Sequence, residues 1–195
     1  MDSFDHTVRK TGAEPLHDNG QLLDTNLLAF WQWSASDLVN NALRGRLAEY
    51  LVAYALGVAD GIRVEWDAYD LKTATGCKVE VKSAAYLQSW QQTTFSAITF
   101  GIRPTFAWDA ETNTYSCEQK RQADVYVFAL LAHRDKATID PLNVAQWQFY
   151  VLPVGILNAQ LPVQKTISLA TIQRLGATPA QFSELRAVVE ARSAE

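Results

Sequence analysis

The residues of this sequence best suited to chemistry are Glu80 and Lys82, which lie in the stretch Cys77–Ala84. Charged residues at even positions alternate there with valines at 79 and 81. A period of two predicts a β-strand that directs the valines to one face and Glu80 and Lys82 to the other. Asp70 stands ten residues before Glu80, so two carboxylates and an ammonium are expected to lie close together. A metal-dependent phosphodiesterase needs such a set.

Hydrolysis of a phosphodiester needs a metal ion that polarises oxygens, an activated water, and positive charge near phosphorus. Mg²⁺ prefers oxygen ligands and usually keeps several waters, so one or two carboxylates suffice. We expect Asp70, Glu80 and the backbone carbonyl of Val81 to bind Mg²⁺, for which Mn²⁺ could substitute. Lys82 is expected to orient or deprotonate the attacking water, or to stabilise charge at phosphorus.

A helix before the strand is expected to bring a third acid to this set. Apolar residues recur at steps of three and four between about Ser36 and Leu56, which predicts an amphipathic helix. Ser34, with an acid three residues later, resembles a capping box, and Gly57 fits a C-terminal cap. Glu49 borders the apolar stripe. We expect it to act as a metal ligand or as a hydrogen-bond acceptor behind the ligands.

Further strands complete the predicted sheet. Two strands precede the one with Glu80, and the three form an antiparallel hairpin or meander. A continuous apolar run follows later and suits a central strand buried on both faces. The next strand is expected to pair with that run. The predicted strands are Ile62–Asp67, Tyr69–Thr73, Cys77–Ala84, Ala123–Ala132 and Trp147–Pro153.

The other segments are predicted to be loops and helices. Ala85–Phe100 fits a short helix or a loop with β-prone residues at its end, and Arg103–Pro104 and Asp109–Asn113 fit loops or turns. Ser168–Leu175 predicts a short helix, and Thr178–Pro179 predicts the start of the last helix. The order of elements predicts an α/β fold with a central mixed β-sheet flanked by helices.

The length of 195 residues fits a single domain over residues 1–195. Residues 1–20 are polar and are expected to form an N-terminal arm. Residues 21–33 are rich in leucine, phenylalanine and tryptophan. Such a composition predicts that this segment docks on the core.

The order of a helical acid, a hairpin acid and a glutamate-x-lysine strand resembles the PD-(D/E)XK, or restriction-endonuclease-like, nuclease superfamily. Asp70 matches the first acid of the motif, Glu80 the second acid, and Lys82 the lysine. Glu49 matches the helical acid of many members. The resemblance covers about residues 44–89 and departs at Tyr69, where the motif has proline. It implies a single nuclease-like domain with a restriction-endonuclease-like core, Mg²⁺-dependent cleavage of DNA and, as in many members, a homodimer.

Simpler interpretations exist for each of these residues. Glu80 and Lys82 could be the solvated face of a half-exposed strand. Glu49 could lie on the wet face of its helix or pair with Arg46 one turn away. Asp67 is an alternative to Asp70, because a bend between them could bring either carboxylate forward.

Candidate contacts with nucleic acid surround the motif. Gln88 resembles a glutamine that some members of the superfamily carry after the lysine. Candidate phosphate contacts, by their position near the motif, are Arg44, Arg46, Lys72, Lys78 and Arg103. The aromatic residues between 86 and 100 could stack on bases, although packing in the core is the simpler expectation for each of them.

Bulk properties narrow the classes of protein. The net charge of −4 and the isoelectric point near 5.4 argue against a general nucleic-acid coating protein but leave a nuclease open. Two cysteines without CxxC spacing, and no signal peptide or membrane span, predict a soluble cytoplasmic protein. The sequence has no phosphate-binding loop, no nucleophile motif and no histidine spacing for a metal.

The leading hypothesis is a metal-dependent endonuclease with DNA as its partner. The alternative is a catalytically inactive protein of nuclease fold that binds nucleic acid or a protein partner. A third hypothesis is an assembly subunit that uses residues 21–33 as an interface.

Overall fold

A computed structural model describes residues 8–63, 67–109 and 114–193. Its strands are β1 (Pro15–Asp18), β2 (Gln21–Asn26), β3 (Leu71–Lys72), β4 (Lys78–Ala85), β5 (Thr99–Gly101), β6 (Thr105–Asp109), β7 (Thr114–Lys120), β8 (Val125–Leu131), β9 (Trp147–Pro153), β10 (Thr166–Ser168) and β11 (Thr178–Ala180). Its helices are α1 (Leu27–Ala35), α2 (Asn41–Leu56), α3 (Val154–Gln160), α4 (Leu169–Arg174) and α5 (Leu185–Arg192).

A five-stranded sheet in the order β11-β9-β8-β4-β3 forms the centre of the protein. β4 and β8 are parallel, and the other neighbours are antiparallel, so the sheet is mixed as predicted. Every residue of β8 is buried. The predictions of a central strand in the apolar run and of its pairing with β9 are confirmed.

Apolar layers cover both faces of this sheet. On one face, β4 and β8 pack with α2 and α5 through alternate residues that include Val79 and Val81. On the other face, Tyr126 and Phe128 of β8 pack with β5, α3 and α4. β4 therefore sends its valines towards α2 and its even-numbered residues towards the opposite layer, as the period of two predicts.

α2 begins later than predicted and ends where predicted. Its N-cap is Asn40, whose side chain accepts a hydrogen bond from the amide of Ala42 at 3.0 Å. Ser34 instead lies inside α1, so its predicted capping role is wrong. Gly57 caps the C-terminus with a φ of 72°. This left-handed conformation favours glycine, and a Cβ atom there would also meet the end of the flexible Arg186 side chain, which would have to shift.

The prediction that residues 21–33 dock on the core is wrong. β1 and β2 form a separate hairpin, and α1 contributes no buried residue. Trp33 is 85% exposed and Leu22 is 72% exposed. The physical reason is that the layers around α2 and α3 already cover the two faces of the sheet, so the apolar segment has no open core surface to cover. Residues 15–18 are correspondingly part of a hairpin rather than of a plain arm.

Three other segments differ from the predictions. β6 and β7 form an antiparallel hairpin around the segment predicted as a turn, of which residues 110–113 lie outside the described part. Of the predicted strand Ile62–Asp67, residues 62, 63 and 67 are not in a strand, and residues 64–66 lie outside the described part of the chain. Thr178 and Pro179 belong to β11 at an edge of the sheet, where a missing N–H is tolerated. The last helix begins instead at Leu185, after a 3-10 turn with a capping box between Gln181 and Glu184.

None of the described helices combines the length and apolar character that a membrane span requires.

Candidate active site

β4 places Glu80 and Lys82 side by side on the face away from α2. Lys82 Nζ lies 2.5 Å from Glu80 Oε1. In the register with β8, Glu80 stands opposite Tyr126 and Lys82 opposite Phe128. Both β8 residues are nearly fully buried, so the ion pair borders a dry layer. The simpler interpretation of a fully solvated strand face therefore does not apply.

Asp70 lies one residue before β3, and its carboxylate reaches β4 beside Glu80 and Lys82. β3 pairs only Leu71 with Val79 and Lys72 with Lys78. Beyond that short ladder, Asp70 Oδ2 accepts a hydrogen bond from the amide of Val81 at 2.7 Å. The amide and carbonyl of one strand residue point to the same side. The Val81 carbonyl therefore points towards the edge of β4 that Asp70 occupies.

The site concentrates negative charge away from water. Burial and the nearby charge of Glu80 raise the pKa of Asp70 to about 6, against the hydrogen bond from Val81 and the charge of Lys82. Burial alone lowers the pKa of Lys82, but the charges of Glu80, Asp70 and Glu49 outweigh it and raise that pKa. Four groups from β4, α2 and the start of β3 thus influence one another. Such mutual perturbation is frequent at functional sites.

Glu49 faces this group from α2 but has a partner of its own. Arg63 donates two hydrogen bonds to it, from Nε and from Nη2, the second at 3.3 Å. Glu49 still raises the pKa of both Asp70 and Lys82. The structure thus places Glu49 near the other three residues, held by an arginine.

Two clefts open at the site. The first has a volume of about 300 Å³ and is lined in part by Glu49, Asp70 and the exposed Arg46. Asp67 lines the same cleft but is exposed, whereas Asp70 is bound to β4. The second has a volume of about 200 Å³, and its lining includes Glu80, Lys82, Arg103, Gln122 and Tyr126. A substrate in either cleft would meet one carboxylate of the pair Asp70 and Glu80.

Few side chains of the site are of the kinds that bind a metal ion. In the described ranges, no group of three or more histidine, cysteine, aspartate or glutamate side chains is arranged to hold a metal ion. Asp70 and Glu80 lie close enough for the charge of Glu80 to raise the pKa of Asp70, and a ligand held by this pair would find the Val81 carbonyl at the same strand edge.

The family of the chain follows from its sequence over most of its length. A sequence model of the bacteriophage T4 endonuclease IV family matches residues 23–171. The chain belongs to this family. The matched part runs from β2 into α4 and contains every candidate site residue. A comparison with curated proteins gives no match. Membership of an endonuclease family supports a nuclease that acts on DNA.

In this member of the endonuclease family, two of the predicted DNA contacts lie in the interior. Arg44 is 4% exposed and Gln88 is 7% exposed. Arg44 donates hydrogen bonds to Val39 O at 2.9 Å, Asn41 Oδ1 at 2.7 Å, Ser83 Oγ at 3.3 Å and Gln88 Oε1 at 3.3 Å. These contacts join α2 to β4 and to the loop after it. That either residue touches DNA stays a prediction, and the observed role of both is to brace the loop.

Two more of the predicted contacts, Arg46 and Lys78, lie at or near the surface. Arg46 is exposed beside the first cleft. Lys78 is half-buried, with its Nζ 5.4 Å from the centre of the Tyr69 ring. Sequence reasoning did not single out Gln122 and placed Arg103 near the motif only by position. Both line the cleft of Glu80 and Lys82 because β5, β6 and the start of β8 meet there, which no local pattern indicates.

Proposed function

We propose that the protein is a Mg²⁺-dependent DNA endonuclease of the PD-(D/E)XK type, with a restriction-endonuclease-like core. One observation carries the proposal. The hydrogen bond from the Val81 amide holds the Asp70 carboxylate at the edge of β4 towards which the Val81 carbonyl points, and the charge of Glu80 acts on it there. Three oxygen donors of the kinds that Mg²⁺ prefers therefore meet at one strand edge.

The residues fit the ion in charge as well as in donor type. Asp70 and Glu80 repel each other in a poorly hydrated setting, as the raised pKa of Asp70 indicates. A divalent cation between them would remove that repulsion. Two carboxylates and one carbonyl leave room for the waters that Mg²⁺ retains. When bound, the ion would polarise a phosphoryl oxygen and acidify a water molecule.

Lys82 is the group that supplies positive charge at the cut bond. Its ammonium has three N–H donors, and one of them is engaged by Glu80. The others are available to orient the attacking water or to stabilise charge on the phosphoryl oxygens. Arg103 lines the same cleft and would hold a neighbouring phosphate. Glu49 would act behind Asp70, through the field that it already exerts there.

Cleavage of plasmid and single-stranded DNA with and without Mg²⁺ tests the proposal. Asp70→Asn, Glu80→Gln and Lys82→Ala should each lower the rate about 100-fold or more, since each removes a metal ligand or a transition-state charge. The matched controls Glu118→Gln and Lys165→Ala alter exposed residues that line neither cleft and should leave the rate unchanged.

Two results would contradict the proposal. Cleavage of equal rate in a chelator would remove the metal from the reaction. Full activity of both Asp70→Asn and Lys82→Ala would remove the assigned site. Salt-dependent DNA binding without any metal-dependent product would favour the alternative of a nuclease fold that binds but does not cut.

A further inference from the structure

A groove separate from the two clefts of the candidate active site lies at the carboxyl ends of the parallel strands β4 and β8. It has a volume of about 480 Å³ and is distinct from the two clefts at Asp70 and Glu80. One wall is the loop that follows β4, and the other is the segment that follows β8. Its lining consists of Leu87, Gln92, Thr93, Thr94, Phe95, Arg134 and Lys136. No carboxylate is among these residues, whereas two cations are.

Aromatic rings hold the guanidinium of Arg134 in this groove. The group lies 4.1 Å from the centre of the Tyr86 ring and 5.6 Å from that of Phe95. The two rings meet edge to face at 6.2 Å. Phe95 remains 52% exposed, and the nearby Trp90 is 53% exposed. We name Tyr86, Phe95 and Arg134 the Arg134 platform, because they present flat π surfaces and a positive charge to solvent together.

The loop that carries the platform is braced from within. Gln88 Nε2 donates to Ala85 O at 3.1 Å and to Ser96 Oγ at 3.2 Å. Gln92 Nε2 donates to the carbonyl of Tyr86 at 3.2 Å and to Ser96 Oγ at 3.0 Å. On the other wall, Lys136 Nζ donates to the carbonyl of Trp90 at 3.0 Å. The two walls are therefore tied together, so that binding would cost little ordering of the loop.

The platform lies on the same side of the sheet as the candidate active site. Tyr86 packs against the apolar layer that contains Ala84 and Phe128, which is the layer that Glu80 and Lys82 border. Tyr86 lies four positions after Lys82, so the two are about 13 Å apart along an extended chain. A strand of nucleic acid cut beside Lys82 would extend over the platform within a few nucleotides.

We propose that the Arg134 platform binds an unpaired nucleobase, with Arg134 and Lys136 contacting the adjoining phosphates. The proposal rests on the proposed nuclease function and names a base-binding subsite for the same substrate strand. Bases stack on aromatic rings and on the planes of arginine guanidinium groups, and the groove offers both beside positive charge. An acidic peptide would satisfy the charge but would not use the exposed faces of Phe95 and Arg134.

Binding measured in a chelator separates the platform from catalysis. The probe is a fluorescent oligothymidylate of about 12 nucleotides, compared with an oligonucleotide of equal length whose central sites are abasic. Phe95→Ala and Arg134→Lys should weaken binding of the intact probe about tenfold, because each removes a stacking surface. The controls Phe30→Ala and Arg174→Lys alter exposed residues elsewhere and should bind as the wild type does.

The abasic probe gives a second readout. The wild type should bind it about tenfold more weakly than the intact probe, whereas Phe95→Ala should bind both alike. Arg134→Gln should also reduce the slope of log affinity against log salt by about 0.7, since one phosphate contact is lost. Unchanged thermal unfolding midpoints of these variants would show that the fold persists.

Three outcomes would overturn the platform. These are equal binding of the intact and abasic probes by the wild type, equal losses in the platform and control variants, and full competition by a glutamate-rich peptide. Failure of the nuclease proposal would look different. Asp70→Asn should bind the probe in chelator at least as tightly as the wild type does, so loss of cutting with retained base-dependent binding leaves the platform standing.

Discussion

Buried charges beside the middle of β4 and beside its carboxyl end differ in how well their neighbours compensate them. In the middle, burial and the nearby charge of Glu80 raise the pKa of Asp70 to about 6, although Lys82 lies close by and acts in the opposite direction. At the end, Arg44 is buried more completely, yet four neutral oxygens accept its hydrogen bonds. Beside the same strand, therefore, lie a carboxylate whose charge is poorly compensated and an arginine from α2 whose N–H donors have several acceptors.

This difference distinguishes a cluster of charges suited to catalysis from contacts that stabilise the fold. A buried charge surrounded by its acceptors stabilises one arrangement of the chain. A cluster of like charges in a dry place is destabilising by itself, and such clusters persist where a ligand or a reaction uses them. The contrast predicts opposite signs for substitutions at the two places.

The largest effect on stability is expected at Arg44, which braces the loop after β4. Arg44→Met should lower the free energy of unfolding by about 3 kcal/mol, because it leaves the buried side-chain oxygen of Gln88 without this donor and removes the hydrogen bonds to Val39, Asn41 and Ser83. Arg46→Met, two positions along the same helix and exposed, is the matched control and should change it by less than about 0.5 kcal/mol. Urea unfolding followed by circular dichroism measures both. Equal stability of the two variants would show that the contacts of Arg44 are not a brace.

An effect of opposite sign is expected at Asp70. In a chelator at pH 8, Asp70→Asn should raise the free energy of unfolding by about 2 kcal/mol, because it removes a carboxylate whose pKa is raised on folding from 3.8 to about 6. The protonated form contributes its stability fully below pH 3.8, and that contribution is lost as the pH rises through 6. The gain of the variant should therefore grow between these values and stay level above them.

Denaturant unfolding from pH 3.5 to 8 gives this curve, and the exposed Asp67→Asn is its control. An Asp70→Asn variant that is less stable than the wild type at every pH would contradict the conclusion that the charge of Asp70 is poorly compensated in the folded protein.

The smallest effect is expected where charge is paired near the surface. Arg63 and Glu49 form an ion pair in which the Arg63 side chain is 38% exposed. A double-mutant cycle with Arg63→Gln and Glu49→Gln should give a coupling energy of about 0.5 kcal/mol. The coupling should shrink in high salt, since a half-exposed pair is screened. A coupling above about 2 kcal/mol would place Glu49 among the buried, fully engaged groups instead.

The sequence predicted the elements that depend on local patterns. The apolar run of β8, the alternation in β4 and the cap at Gly57 are all confirmed. The edge strand β11 escaped prediction because it is short and pairs with β9 at a distance in the chain. The hairpin of β6 and β7 escaped because β7 is exposed along most of its length and lacks the apolar run of a buried strand. For the N-terminal segment, apolar composition predicted burial, but burial also requires an uncovered surface, which composition does not report.

The candidate site divides in the same way. The sequence by itself determined that Glu80 and Lys82 share a strand face, because side chains alternate with a period of two whatever the strand packs against. It also determined, through its match over residues 23–171, the family of the chain. Only the tertiary structure decided that Asp70 binds the Val81 amide, that Arg44 and Gln88 turn inward, and that Arg134 lies on Tyr86. These contacts join residues 11, 44 and 48 positions apart, and such pairs meet only when strand order and register bring their elements together.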